Sequence, residues 1–261
     1  MTGKEITLKQ ILVALDDVEQ LQSVLEAAAV LAVRVQAELT GLLVQDEDLL
    51  QLAHLPFASE ISLCSATPRT LEPLAVERQH RLRAERLRRA LKRLETEHRL
   101  RTSLQVVRGR LAPETVFTQV SADVVFIVGR RQHVDRMEAA RRAPTRRVAP
   151  ICVYYDYSES AGRVLEVGAN LSTSMQARLI VIFPEESEPP HEALKTLSAR
   201  LGSPFQHIEV QLKSIGVKEG LADLVRRQHC RLLVLAMPRA GAVGYGRDSS
   251  MMLGIPIALV R

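Results

Sequence analysis

Short apolar runs alternate with longer amphipathic stretches along this chain. Ile11 to Leu15 is an unbroken apolar run of the kind a strand buried on both faces shows. From Glu19 to Gln36 the apolar positions Leu21, Val24, Leu25, Ala28, Leu31, Ala32 and Val35 recur at intervals of three and four, which puts them on one helical face. Leu39 to Val44 reads as a second strand, so the chain opens with strand, helix and strand, long enough for a parallel crossover. Leu74 to Leu100 then reads as one long helix, with Leu87, Leu91 and Leu94 on one side. A strand over 104–107, a helix over 113–120 and a buried strand over 124–128 complete the first half.

The same order returns after residue 150. A helix is expected over 160–175, a strand over 179–183 and a shorter helix over 191–201. A strand over 208–212, a helix over 218–228, a strand over 232–235 and a terminal strand over 255–260 follow. With a shift of about 140 and no gaps, about 12 of about 29 positions between 11 and 39 are identical, where ordinary residue usage gives roughly two. The matches include Ile11 with Ile151, Val13 with Val153, Asp16 with Asp156, Leu25 with Leu165 and Gln36 with Gln176. A period this long means two whole α/β units with parallel sheets. At the seam, Ala149-Pro150 introduces Ile151 to Asp156 as a last strand would be introduced, yet Asp156 ends it as a first strand ends. The run is read as the first strand of the second unit, which leaves the first unit with four strands or borrowing an edge.

Two stretches break the symmetry. The segment 45–73 is long for a loop and carries Leu49, Leu50, Leu52, Leu55, Phe57, Ile61 and Leu63; it is read as an extra helix and loop covering the core, or as a lid or partner surface. The helix 74–100 is rich in arginine, with Glu77 and Arg81, Glu85 and Arg89, and Glu95 and Arg99 spaced for ion pairs, so a solvated face is expected rather than a phosphate-seeking one.

Composition narrows the classes. Hydrophobic residues make up 46%, enough for two cores, but aromatics are 3% with no Trp, so stacking platforms for nucleic acid would be hard to build. The net charge of +5 is too mild for a nucleic-acid signature. Three widely spaced cysteines, Cys64, Cys152 and Cys230, suggest no disulfide framework and a reducing cytoplasm. Cys152 is expected to be a small buried hydrophobe, and His229-Cys230 lacks a second pair at zinc-ligand spacing. No apolar run has membrane-spanning length. Asp46, Glu47 and Asp48 are neighbours without visible convergence on one substrate, and Ser158 and Ser160 stand where a helix cap would. No nucleophile, base and orienter assemble, so neither a catalytic nor a metal site is expected.

The strand ending in Asp16, the Ala-rich helix with Leu25-Glu26, the apolar second strand, and Ala122-Asp123 before a strand running into Gly129 together resemble the universal stress protein family. The resemblance covers nearly the whole chain, twice. It implies two tandem Rossmann-like α/β domains, 1–147 and 148–261, each an open, mostly parallel sheet flanked by helices. They would pack as a pseudo-twofold pair within one chain, and a homodimer of chains would be a further closed assembly.

In nucleotide-binding members of that family, residues ending the first two strands contact the nucleoside, and a loop of pattern G-x2-G-x9-G-(S/T) cradles the phosphates. The resemblance carries the nucleoside positions to Asp16 and Val44, and to Asp156 and Phe183. Gly129 keeps the first loop glycine, but Gln132 and Arg142 hold the next two glycine positions. In the second half Gly241, Gly244 and Gly246 lie off register, with Ser249 and Ser250 as remaining donors for an anion nest. Two readings stay open. One is a non-enzymatic regulatory or stress-adaptation protein that binds a protein partner or small ligand and needs no cofactor. The other is an adenine-nucleotide binder, of ATP or AMP, that uses the second domain with weak hydrolysis at most. Nucleic acid and membrane are not expected partners.

Overall fold

The computed structural model describes residues 8–15, 21–61, 66–109, 121–128, 149–216, 220–237 and 255–261. The first half holds β1 (Gln10–Leu15), α1 (Leu21–Val35), β2 (Glu38–Asp46), α2 (Glu47–Ala53), β3 (Ser59–Ile61), β4 (Pro68–Thr70), α3 (Pro73–His98), β5 (Thr102–Gly109) and β6 (Val124–Val128). The second holds β7 (Ile151–Tyr154), α4 (Ala161–Met175), β8 (Leu179–Pro184), α5 (His191–Leu201) and α6 (Ser203–Gln206), followed by β9 (Val210–Ile215), α7 (Leu221–Arg227), β10 (Leu232–Ala236) and β11 (Ile257–Val260). The expected helix over 113–120 lies outside the described residues.

The sequence repeat is a structural one. Helices α1 and α4 begin and end 140 residues apart, and both close the same way. Gln36 and Gln176 take left-handed backbone, with φ of 54° and 49°. The following amide reaches back to the helix each time, Ala37 N–H to Ala32 C=O and Ala177 N–H to Ser172 C=O, both at 2.9 Å. This double closure satisfies carbonyls that a helix end otherwise leaves open.

Nine of the described strands form one sheet in the order β5-β2-β1-β6-β11-β10-β7-β8-β9. Every pairing is parallel except β11 with β6. Strand β7 pairs with β10 and β8, both of the second half, as read from Asp156. The first half contributes four strands to this sheet, and β11 supplies the neighbour of its outermost one. Asp123 ties the amino ends together: its carboxylate accepts the Lys9 and Gln10 N–H groups at 2.7 and 3.0 Å, and its carbonyl accepts the Arg261 N–H at 3.0 Å.

Alternate residues of each strand serve two apolar layers. Ile11, Val13 and Leu15 face α1, α3 and α4, whereas Leu12 and Ala14 join the layer that α7 covers with Leu221, Leu224 and Val225. Both layers are aliphatic, and α1 packs on α4 across the centre of the sheet. Gly168 of α4 permits a close approach, because a Cβ there would lie 2.1 Å from Val153 Cγ2. Its counterpart in the first repeat is Ala28, fully buried.

Several sequence expectations are corrected. Cys152 and Cys230 form a disulfide, with Cα atoms 6.1 Å apart, although 78 residues separate them. The parallel pairing of β7 with β10 brings them together, and sequence spacing carries no trace of that pairing. In the 45–73 segment, α2 and the β3–β4 pair bury Ala53, Ala58 and Leu71 against Val76, but Leu52, Leu55, Phe57 and Ile61 are exposed. The segment therefore covers the core less than its apolar content suggests. Glu77 pairs with Arg81 as expected, but Glu85 pairs with Arg88 rather than Arg89. Arg99 takes left-handed backbone at the helix end, and it forms no ion pair with Glu95. Ser160 occupies the N-cap position of α4 without a side-chain cap bond. The strand expected over 208–212 runs over 210–215. No described helix is long and apolar enough to cross a membrane.

Two outcomes follow from this packing. Gly168→Ala should cost about 1–3 kcal/mol in urea denaturation, since Val153 is β-branched and held in a central strand; an unchanged midpoint would mean the helix can move away. Thiol labelling of the protein unfolded without reductant should modify Cys64 but not Cys152 or Cys230. Labelling of all three would contradict the disulfide.

Candidate functional site

In an open α/β sheet ligands bind beyond the carboxyl ends of the strands, where side chains and loop amides converge. Val44 is buried near the end of β2, and Phe183 is buried near the end of β8. Asp156 is exposed just past β7. The β7–β8 register sets Tyr154 opposite Ile182, so Asp156 and Phe183 leave neighbouring strand ends. Asp16, Gly129, Gly241, Gly244, Gly246, Ser249 and Ser250 lie outside the described residues.

The second-half strand end is already bridged. The Asp156 carboxylate accepts the Ser158 N–H at 3.0 Å, and Tyr157, in left-handed backbone with φ of 59°, donates its hydroxyl to the Glu188 carbonyl. Tyr155 and Tyr157 meet edge to face with centroids 4.8 Å apart. Burial raises the Tyr155 phenol above its ordinary range, and the Asp156 carboxylate acts in the same direction. Both phenols stay protonated at neutral pH, and Tyr157 serves as a donor.

The first-half strand ends present a different arrangement. A cavity of about 170 Å³ opens there between four elements, β2, α2, α3 and β5. Asp46 and Glu47 line it from the junction of β2 with α2, where Asp46 caps α2 by accepting the Leu49 N–H at 3.2 Å. Arg108 lines it from the end of β5, opposite Gln45 in the register. Glu77, His80 and Arg81 line it from one face of α3, and Glu77 and Arg81 are paired at 3.5 Å. Pro73 starts that helix favourably, and its buried stripe of Val76, His80, Leu87, Leu91 and Leu94 fixes which face turns inward.

His80 is the unusual member. It is only 6% exposed, and its Nε2 is one of two buried side-chain polar atoms without a hydrogen-bond partner among the described residues, the other being Ser172 Oγ. An unsatisfied polar group costs about 1–3 kcal/mol, so native proteins seldom keep one without a reason. Burial holds the imidazole below its ordinary pKa, and Arg83 pushes the same way. Asp46 opposes them, Arg108 lowers it further, and Glu77 opposes. At neutral pH the ring is uncharged, with one nitrogen a donor and the other an acceptor.

The sequence reading noted Asp46 and Glu47 without seeing them converge with anything, and it passed over His80 and Arg108. A signal for His80 was present: a histidine four residues after Val76 and seven before Leu87 falls on the apolar stripe of the helix. Among the described residues, no group of three or more His, Cys, Asp or Glu side chains is placed to hold a metal ion.

No protein-family model matches the chain, and no curated relative matches it. Solved structures do. A universal stress protein from Archaeoglobus fulgidus is similar over 97% of this chain and 96% of its own, at 12% identity and a TM-score of 0.48. The cytoplasmic domain of a prokaryotic cation chloride cotransporter is similar over 97% of this chain and 95% of its own, at 9% identity and a TM-score of 0.42. A universal stress protein in complex with cAMP is similar over 44% of this chain and 99% of its own, at 16% identity and a TM-score of 0.27. At such identity and overlap, none of them assigns a role to a residue of this chain.

The depressed histidine has a direct consequence. A base whose folded pKa lies below its unfolded value destabilises the fold only when protons are available, so stability is complete above about pH 6.5 and falls as pH drops through the folded pKa. His80→Leu should remove that part of the acid sensitivity and raise stability at pH 7.5 by up to about 1 kcal/mol, because an unsatisfied nitrogen is lost. Urea titrations at several pH values measure both; an unchanged pH slope in the variant would show that His80 does not titrate as described.

Proposed function

We propose that this chain is a non-enzymatic regulatory protein of the universal-stress type that acts by binding a small ligand and presenting a surface to a protein partner. The observation that supports it is the cavity at the first-half strand ends, where His80 is buried and its Nε2 lacks a hydrogen-bond partner. The same helix, α2, lines that cavity with Glu47 and Leu50 and turns Leu52 outward, 51% exposed. Phe57 and Ile61 follow on the outside at 80% and 66%. A ligand that shifts α2 would thereby change what this apolar surface offers, which is how a binding protein without chemistry of its own transmits a signal.

Adenine-nucleotide binding by the second half is the other reading, favoured by Asp156 and Phe183 standing at neighbouring strand ends. ATP or AMP would have to accommodate the Tyr157 to Glu188 bond there.

Mass spectrometry of small molecules released from the purified protein, together with thermal shifts, separates the two. A ligand held in the first-half cavity should stabilise the protein by about 2.7 kcal/mol at 100 times its dissociation constant, and Asp156→Ala should leave that shift intact. If instead millimolar ATP raises the melting temperature and Asp156→Ala abolishes the rise, the nucleotide reading replaces the first.

A further inference from the structure

The cavity around His80 has a charge layout that selects a class of ligand. Its lining carboxylates, Asp46, Glu47 and Glu77, outnumber its guanidinium groups, Arg81 and Arg108, so a simple anion is disfavoured. The Glu77–Arg81 pair satisfies itself at 3.5 Å. What remains is an acidic wall at the junction of β2 and α2, a basic side chain at the end of β5, and a buried imidazole whose Nε2 has no partner. A volume of about 170 Å³ is too small for a nucleotide, since pockets for drug-sized ligands start near roughly 300 Å³.

We propose that this cavity binds a small zwitterion of the α-amino-acid class, its ammonium group held by Glu47 with Asp46 and the His80 imidazole, and its carboxylate by Arg108. With Nε2 as its unprotonated nitrogen, the uncharged ring accepts from the ammonium group, and that hydrogen bond ends the isolation of Nε2. Arginine suits the carboxylate because its guanidinium donates two parallel hydrogen bonds. The inference rests on the small-ligand reading above and narrows it to one chemistry.

The full-length protein tests it by calorimetric titration and thermal shift. L-Alanine, L-serine and L-glutamine serve as zwitterionic probes, and acetate and ethylamine, matched for ionic strength, as half-molecules. At least one zwitterion should bind saturably and raise the melting temperature, while neither half-molecule does so at the same concentration. Glu47 and Arg108 are both exposed, so Glu47→Gln and Arg108→Gln should fold normally; each should weaken binding about tenfold or more, the loss expected for one charge-assisted hydrogen bond. Equal binding of acetate or of ethylamine overturns the zwitterion, as does binding that both variants retain. Silence of all three amino acids also overturns it. In that case a different small molecule released from the protein, with binding lost in Arg108→Gln, would leave the ligand-binding reading standing, whereas no released molecule and no shift would remove both.

Discussion

Strand β11 is hydrogen-bonded on both sides, parallel to β10 and antiparallel to β6, and the rest of the architecture depends on that double pairing. Two α/β units of four and five strands would each expose an unpaired edge where they meet, and a buried edge cannot leave its amides and carbonyls unsatisfied. One strand with two ladders removes both edges at once. It also sets the orientation of the halves, because an antiparallel join turns the second set of strands against the first. The carboxyl ends of the two halves therefore face opposite directions along the sheet, and any ligand site of one half is remote from that of the other. The packing of α1 on α4 and the grip of Asp123 on Lys9, Gln10 and Arg261 follow from this central join.

Among the described residues, the two halves differ in the crossover between their second and third strands. Between β2 and β5 the first half carries α2, the β3–β4 pair and the 26-residue α3, where the second has an 11-residue helix and a short one after it. The longer insertion builds walls around the end of β2 and β5 and brings His80 into a cavity with residues of both signs. The shorter one leaves the end of β7 to be closed by Tyr157 reaching the Glu188 carbonyl. Duplication thus supplied a common scaffold, and the crossover between second and third strands made one end a cavity and the other a bridged surface.

If the cavity binds as proposed, His80 joins stability to binding. An unpartnered Nε2 destabilises the unliganded protein, and a ligand that completed its hydrogen bond would recover that loss on binding. Sites that cost stability when empty are common where function requires a response to occupancy. The exposed Leu52, Phe57 and Ile61 lie on the same insertion, so the element that lines the cavity is also the one with apolar surface to offer.

The repeat, the nine strands of the main sheet and most helices were legible in the sequence because burial on both sheet faces writes continuous apolar runs, and helix packing writes a period near 3.6. Identity at Gln36 and Gln176 even marked a shared backbone closure, since a left-handed residue must stand where each helix ends. The assignment of Ile151 to the second half followed from Asp156 in the same way. Other features depended on contacts between residues far apart in the chain. The Cys152–Cys230 disulfide exists because β7 lies beside β10, and the cavity exists because Arg108, His80 and Asp46 arrive from three elements. The place of β11 between two units is likewise a property of pairing, which a four-residue apolar strand states only as something to be buried. Local pattern decided what each segment becomes; tertiary packing alone decided which side chains meet.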